Sequence, residues 1–364
     1  MQLRKFLTLG GKYLNQRGRE ALYLKVGYDI TKPFSIRGIV TNQCNYQCRY
    51  CDTWRNTEKY EEISISQWQA TLSSLKEFLG SYVIQFTGGG EPFTKKNFID
   101  LLQFCHHQGI QWGVCTNGSA FNSVNVKRIV SAQPLNIDIS VDSATATTHD
   151  FVRGKPHSLE NIAQGISLLR TEAERLGLKF PIRIKPTVHL YNFRQLPELV
   201  EWSQQVGATT IDFSPVRLTN PELKQELWIK QESDLETLRQ VIETLIRMKG
   251  EGAPIENSDD NLRSYPEHFL EKRVNVALLP CRVGLRHYYI NSNGEVITCW
   301  FYPAIGNVKD YSAKAIWYSD KAKQIRAQTV NCSKLGSVDC ANSCLAFRSF
   351  LQEIKRALLF FFSR

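Results

Sequence analysis

The sequence predicts an α/β protein: a parallel sheet with helical crossovers, followed by a small cysteine-rich α+β region. Between residues 34 and 218, six strand-like runs alternate with helical ones, which is typical of parallel strands joined by helices. Glycines, carboxylates and thiols follow directly after several of these strands. They therefore lie at the carboxyl ends of the strands, where such folds bind ligands. Alternation alone leaves two architectures open, a barrel and an open doubly wound sheet.

Local signals place each element. The glycines in the first 33 residues predict an N-terminal extension with a short helix and a hairpin or turn. The alternating pattern places strands at Ser35–Val40, Tyr82–Thr87, Gln111–Cys115, Leu135–Val141, Ile182–Val188 and Thr210–Val216. Apolar residues at helical spacing predict helices at Ile65–Leu79, Asn97–Gln108, Val124–Ser131, Leu159–Leu176 and Leu196–Gln205.

Composition narrows the class of protein. The chain has 364 residues, 42% apolar and 22% charged, as in a soluble globular protein. No apolar run approaches the roughly 18 residues of a membrane span, and the first thirty residues lack the apolar core of a signal peptide. Ten cysteines without such a signal favour a reducing cytoplasm.

The net charge of +10 fits either a solvated basic surface or an acidic partner. No long Lys/Arg run or RNA-binding fingerprint concentrates this charge. We therefore expect no specific nucleic acid partner.

Three cysteines follow the first strand with the spacing C-x3-C-x2-C: Cys44, Cys48 and Cys51. Three thiolates on one tight loop converge on a point and suit a soft metal centre. A closed structural zinc site uses four ligands, so three thiolates leave one metal position of a cluster open for chemistry. On the loop alone, a structural zinc loop and a chance grouping stay open.

Glycines and polar residues also lie at the carboxyl ends of the second, third and fourth strands. The second strand ends at Thr87-Gly88-Gly89-Gly90-Glu91-Pro92, where glycines let backbone approach a ligand and Glu91 can pair with an ammonium group; a solvated turn is the alternative. The third ends at Thr116-Asn117-Gly118. After the fourth, Ser140 and Asp142 alternate onto one face and suit a ribose diol. The guanidinium of Arg153 suits a carboxylate, or forms a surface salt bridge.

The cysteine loop, with Tyr50 before its third cysteine and Gly-Gly-Glu about forty residues later, resembles the radical S-adenosylmethionine (SAM) enzymes. The resemblance implies a partial (β/α)6 barrel with a 4Fe–4S cluster on the loop and SAM at its open iron. One electron from the cluster then splits SAM into methionine and a 5′-deoxyadenosyl radical, which abstracts a substrate hydrogen. The implied SAM contacts are Tyr50, Gly89, Gly90, Glu91, Asn117, Ser140, Asp142 and Arg153. The resemblance implies that Arg153 contacts either the SAM carboxylate or the strand end at Ser140 and Asp142.

A second group of cysteines lies in the C-terminal region: Cys281, Cys299, Cys332, Cys340 and Cys344. The first two flank a predicted hairpin that turns at Asn293-Gly294. The C-x12-G-x4-C start and the C-x3-C end resemble the SPASM or twitch extension of radical SAM enzymes, which holds auxiliary iron–sulfur clusters. Five cysteines are too few for two all-cysteine clusters.

We therefore expect one auxiliary iron–sulfur cluster, held by Cys281, Cys299, Cys344 and one of Cys332 and Cys340. A zinc site in the same region is the alternative.

The predicted organisation has five parts. They are an N-terminal extension (1–33), a radical SAM partial barrel (34–218), a helical bridge (219–278), a SPASM/twitch-like domain (279–346) and a C-terminal amphipathic helix (347–364). The final helix has a strongly apolar face, which packs on its own domain or contacts a membrane surface or a partner.

The resemblance implies an enzyme with an electron donor such as flavodoxin or ferredoxin, and a peptide or small-molecule substrate. We expect a peptide or protein to be oxidised, crosslinked or epimerised. The alternatives are a small-molecule dehydrogenase acting on a sugar or aminocyclitol, and a non-enzymatic zinc protein that binds nucleic acid. Arg183 and Lys185 of the fifth strand face the pocket or lie at an exposed edge. Lys185 and His189 are candidates for substrate contact, and Cys115 or a spare C-terminal cysteine is a candidate hydrogen donor.

Overall fold

A computed structural model describes residues 2–55, 61–218, 220–272, 281–334 and 340. The strands are β1 (Ser35–Gly38), β2 (Val83–Phe86), β3 (Gln111–Thr116), β4 (Asn136–Ile139), β5 (Ile182–Ile184), β6 (Thr187–Val188), β7 (Thr210–Ile211), β8 (Ser214–Pro215), β9 (His287–Ile290), β10 (Glu295–Ile297) and β11 (Gly306–Asn307).

The helices alternate with these strands through the first two thirds of the chain. They are α1 (Gln2–Val26), α2 (Ile65–Leu79), α3 (Phe98–His107), α4 (Ser123–Ser131), α5 (Ala146–Arg153), α6 (Ser158–Arg175), α7 (Leu196–Gln205), α8 (Pro221–Leu227), α9 (Glu232–Gly250), α10 (Asp259–Arg263), α11 (Tyr265–Phe269), α12 (Ala313–Tyr318) and α13 (Asp320–Val330).

The main sheet has nine strands in the order β11-β10-β9-β1-β2-β3-β4-β5-β7. The strands from β9 to β7 run parallel, and β10 and β11 add antiparallel pairs at one edge. The predicted parallel α/β sheet is confirmed. The predicted fifth and sixth strands are each divided, and their second parts, β6 and β8, pair separately.

The predicted hairpin at Asn293-Gly294 forms, and its first strand joins the main sheet. β9 pairs with β1 in parallel, with Arg37 opposite Tyr289. The sheet therefore continues across the boundary expected between the barrel and the C-terminal domain. Because Cys281 precedes β9 and Cys299 follows β10, the pairing brings these cysteines to the amino end of β1.

Helices cover one face of the main sheet. α2 begins with a capping box between Ser64 and Gln67, and it buries Trp68, Leu72 and Leu75. The Trp68 ring is so close to β1 that a Cβ on Gly38 would lie 3.0 Å from it. Residues that alternate with this helix-facing set point to the opposite face, which we call the lumen face.

The N-terminal expectation of a short helix and a hairpin is wrong, since α1 continues from Gln2 to Val26 through three glycines. Tertiary contacts override the weak helix propensity of glycine. Glu20 of α1 is fully buried and forms ion pairs with Arg282 (2.9 Å) and Arg286. Burial alone would raise the pKa of Glu20, but the two guanidinium groups lower it.

Among the helices of the described residues, none has the length and apolar character needed to cross a membrane. The amphipathic helix expected at 347–364 lies outside the described residues, so its contact with a membrane or partner stays a prediction.

Candidate active site

The cysteine loop is clamped between two segments that contain glycine. On one side, a Cβ on Gly90 would lie 1.8 Å from the carbonyl oxygen of Gln43. On the other, Gly154 follows α5 with a φ of +60°, and a Cβ there would lie 2.4 Å from the carbonyl oxygen of Gln47. Gly90 therefore packs closely on the cysteine loop, and the contact of this glycine-rich turn with SAM stays a prediction.

Glu91 is buried where this turn meets the end of β3. Its carboxylate accepts hydrogen bonds from the Thr116 hydroxyl (2.7 Å) and from the backbone N–H groups of Asn117 (2.7 Å) and Phe93 (3.2 Å). Burial raises the pKa of Glu91 to about 7, although these hydrogen bonds oppose the rise. No cation of the described residues forms an ion pair with this carboxylate, so it can receive an ammonium group.

Asp142 and Arg153 form a buried ion pair behind the cysteine loop, with 2.8 Å between Nε and Oδ2. Asp142 also accepts hydrogen bonds from the Tyr50 hydroxyl (3.0 Å) and the Thr187 N–H (2.9 Å). Burial alone would raise the pKa of Asp142, but Arg153 lowers it. The guanidinium also lies 3.8 Å from the Cys48 sulfur, where its charge stabilises a thiolate.

Ser140 lies apart from Asp142. Its hydroxyl is 3.9 Å from the Cys115 sulfur on the lumen face. Nearby on that face Lys185 pairs with Asp212. Burial raises the pKa of Cys115, which keeps it a thiol, the form that can donate a hydrogen atom. A joint ribose-binding role of Ser140 and Asp142 stays a prediction.

The residues present fit a 4Fe–4S cluster and SAM. Cys44, Cys48 and Cys51 supply three of the four thiolates that such a cluster can take. Burial raises the pKa of the Cys44 thiol, and the nearby backbone N–H groups of Tyr46 and Glu91 oppose the rise. The site also suits SAM, because the buried carboxylate of Glu91 can pair with the amino group of SAM.

The structure brings the other predicted SAM contacts into two groups. Tyr50, Asp142 and Arg153 share one hydrogen-bonded cluster. Gly89, Gly90, Glu91 and Asn117 form the second, and the Asn117 side chain donates to Asn45 of the cysteine loop at 2.9 Å.

Four cysteines of the C-terminal region lie together. Cys281 and Cys299 are buried in one small apolar cluster, with Cys332 packed against it. Burial raises the pKa of Cys281 to about 11, and the nearby thiols of Cys332, Cys340 and Cys299 raise it further. Both Cys332 and Cys340 therefore lie near Cys281 and Cys299, and the ligand set of the auxiliary cluster stays a prediction. Cys344 lies outside the described residues.

None of the nine described cysteines forms a disulfide. Within the described ranges, no three His, Cys, Asp or Glu side chains are placed to hold a single metal ion.

Sequence reasoning missed α5, which delivers Arg153 to Asp142, and it missed Asp138 and Arg37, although it expected Arg183 and Lys185 of the fifth strand to face the pocket. Arg183 forms a two-pronged pair with Asp138 (2.7 and 2.9 Å) on the lumen face, and Arg37 lies on the same face. Polar residues between buried apolar neighbours in β1 and β4 are the signal that identifies these positions.

Comparison with known proteins identifies the class. The family model of the radical SAM superfamily matches residues 39–174, and the model of the SPASM iron–sulfur cluster-binding domain matches residues 281–344. The chain belongs to the radical SAM superfamily and carries a SPASM domain. This radical SAM protein is therefore an enzyme that uses SAM and 4Fe–4S clusters. The alternative of a non-enzymatic zinc protein is wrong.

Three relatives illustrate the range of the superfamily. The chain is 24% identical over 323 residues to the AdoMet-dependent heme synthase of Oleidesulfovibrio alaskensis, covering 84% of this chain and 80% of the relative. It is 24% identical over 193 residues to the PqqA peptide cyclase of Rhodopseudomonas palustris, covering 53% and 49%. Streptococcus suis SuiB, solved bound to precursor peptide SuiA, shares the fold with a TM-score of 0.64 and 17% identity, covering 86% and 71%.

Gly90→Ala should displace the cysteine loop of this radical SAM enzyme, because the new Cβ meets backbone rather than a flexible side chain. After anaerobic reconstitution the variant should hold less iron and be destabilised by about 1–3 kcal/mol, as for an overpacked core. Gly250→Ala is the matched control, since a Cβ there meets nothing within 4 Å. If Gly90→Ala retains as much iron as the wild type, Gly90 is not needed to hold the cysteine loop in place.

The Cys340→Ser variant should lose the auxiliary cluster, because the structure places this thiol beside Cys281 and Cys299. Iron and acid-labile sulfide analysis should give about eight irons per wild-type chain and about four for the variant, with four irons per cluster. Cys115→Ser, in the lumen, should retain the wild-type content. The assignment fails if Cys344→Ser loses this iron while Cys340→Ser keeps it.

Proposed function

We propose that this radical SAM enzyme modifies a peptide or protein, by oxidising, crosslinking or epimerising a residue from which it removes a hydrogen. The polar lumen carries the proposal. Two ion pairs line it, Arg183 with Asp138 and Lys185 with Asp212, and the Gln85 amide lies on the same face. Such walls offer many hydrogen bonds to peptide groups, whereas a flat apolar ligand needs apolar walls.

The openness of the sheet also supports a large substrate. β7 and β11 are its outer strands in the described part of the chain, and they do not pair with each other. A backbone bridge between Ile211 and Ile255 covers the outer edge of β7, so an extended chain would reach the lumen from the β11 side. One relative is named a peptide cyclase, and SuiB was solved with a peptide on the same fold.

In this proposal Cys44, Cys48 and Cys51 hold the cluster that binds SAM, and Cys281, Cys299, Cys332 and Cys340 hold the auxiliary one. When bound, the first cluster would supply the electron that splits SAM, and the second would accept the electron that the substrate radical loses in an oxidation.

The chain's own residues position these reactants. Glu91 offers its carboxylate to the SAM amino group, since no protein cation of the described residues pairs with it. Arg153 holds positive charge beside Cys48 and orients Asp142. Lumen side chains hold the substrate, and a flavodoxin or ferredoxin is the proposed electron donor.

A small-molecule oxidation is the second candidate. The observation that favours it is the extent of similarity, since the heme synthase relative covers 84% of this chain and the peptide cyclase 53%. A polar lumen also suits a polar metabolite such as a sugar or aminocyclitol.

The test uses reconstituted protein with SAM and dithionite under anaerobic conditions, with either the peptide fraction or the metabolite fraction of an extract of its host cells. The peptide fraction should accelerate formation of 5′-deoxyadenosine. Mass spectrometry should then find a peptide that has lost two hydrogens or, for epimerisation in heavy water, gained one deuterium.

Cys48→Ser is the control and should form no 5′-deoxyadenosine, because it lacks a cluster ligand. Acceleration by the metabolite fraction alone would replace the proposal with the second candidate. No 5′-deoxyadenosine with either fraction would contradict both.

A further inference from the structure

Arg37 lies at the centre of the lumen face. Its register partners are Gln85 of β2 on one side and Tyr289 of β9 on the other, so these side chains share a face. The chain neighbours Ile36 and Gly38 are buried on the opposite, helix-covered side. Strand alternation therefore directs Arg37 into the lumen.

The guanidinium of Arg37 has an aromatic neighbour but no anionic one. Its central carbon lies 5.4 Å from the centroid of the Tyr289 ring, a cation–π contact. Among the described residues it forms neither a hydrogen bond nor an ion pair. The other lumen cations, Arg183 and Lys185, are both paired with carboxylates. Arg37 thus keeps its donors available to a ligand.

Two neighbouring side chains also carry unused hydrogen-bonding atoms. Nε2 of Gln85 and Nδ1 of His287 are buried and lack a partner in the described part of the chain. The His287 ring lies 5.1 Å from that of Tyr289. Burial, with the charges of Arg37 and Arg286, lowers the pKa of His287 to about 3, so this ring stays neutral. Buried polar atoms without partners are costly, and a ligand that pairs with them recovers the cost.

The position of this site suits a substrate anchor. The Tyr289 ring lies 5.7 Å from that of Trp300, which is 53% exposed and directly follows Cys299. The Arg37 region therefore adjoins the auxiliary cysteines. The cysteine loop lies beyond the other end of β1, so a molecule anchored at Arg37 extends between the two cysteine groups.

We propose that Arg37 and Gln85 bind a carboxylate group of the substrate in the lumen. A planar guanidinium and an amide N–H match the two oxygens of a carboxylate. One positive charge balances a carboxylate, whereas a phosphate dianion is left half-neutralised. The inference rests on the proposed function in that the lumen holds the substrate, and it adds that this substrate carries a free carboxylate.

Isothermal titration of the reconstituted holoenzyme tests this with glutarate, its neutral isostere glutaramide, and inorganic phosphate. Glutarate should bind saturably and glutaramide should not. Arg37→Gln should weaken glutarate binding by about tenfold or more, the loss expected for a charge-assisted hydrogen bond. Arg37→Lys should lose less because the charge remains, and Gln85→Leu should also weaken binding.

Arg128→Gln is the matched control, since this exposed arginine pairs with Asp100 away from the lumen, and it should bind glutarate as the wild type does. Iron content and the unfolding midpoint show whether each variant is folded. If Arg37→Gln does not fold, Gln85→Leu is the variant that tests the proposal. Equal glutarate affinity in wild type and Arg37→Gln, or tighter binding of phosphate, overturns the proposal. Failure to cleave SAM would contradict the proposed function alone, because the titration contains no SAM.

Discussion

The buried ion pair between Asp142 and Arg153 is the constraint on which the cofactor edge depends. It joins the segment after β4 to the end of α5, and through Tyr50 and Cys48 it reaches the cysteine loop. Removing one partner of such a pair typically costs about 3–5 kcal/mol, because the other charge is left buried. The pair therefore fixes the loop, and it also places positive charge beside the Cys48 thiol, a predicted cluster ligand.

The direction of the strands places the two cysteine groups at opposite ends of one lumen. Cys44 follows the carboxyl end of β1, while the β9–β10 hairpin carries Cys281 and Cys299 to its amino end. Hydrogen bonds between β1 and β9 thus set the separation of the two sites. In the proposed function, a substrate between them loses a hydrogen at one end of the lumen and an electron at the other.

Local spacing accounts for what the sequence predicted well. The C-x3-C-x2-C loop, the Gly-Gly-Glu turn and the alternating strands are short-range signals, and the sheet brings them to one edge as expected. Such short-range signals do not predict contacts between segments that are distant in the sequence. Examples are the parallel pairing of β9 with β1, the close approach of Gly90 to Gln43, and the burial of Glu20 that keeps α1 continuous.

The same distinction applies to individual site residues. Arg153 was assigned either to the SAM carboxylate or to the Ser140–Asp142 strand end, and the structure pairs it with Asp142. Arg37 gave no motif signal because a single charged residue in a strand is uninformative until its neighbours are known. Only the register of three strands shows that it faces Tyr289 and Gln85 without an anion.

The cluster on the Cys44 loop should have an iron open to SAM. Electron–nuclear double resonance on the reduced protein, with SAM labelled with ¹⁵N at its amino group, measures this contact. SAM should change the cluster's resonance, and a ¹⁵N coupling should appear in the wild type and be absent in Cys48→Ser. A cluster signal that is unchanged by SAM and shows no nitrogen coupling would contradict this contact.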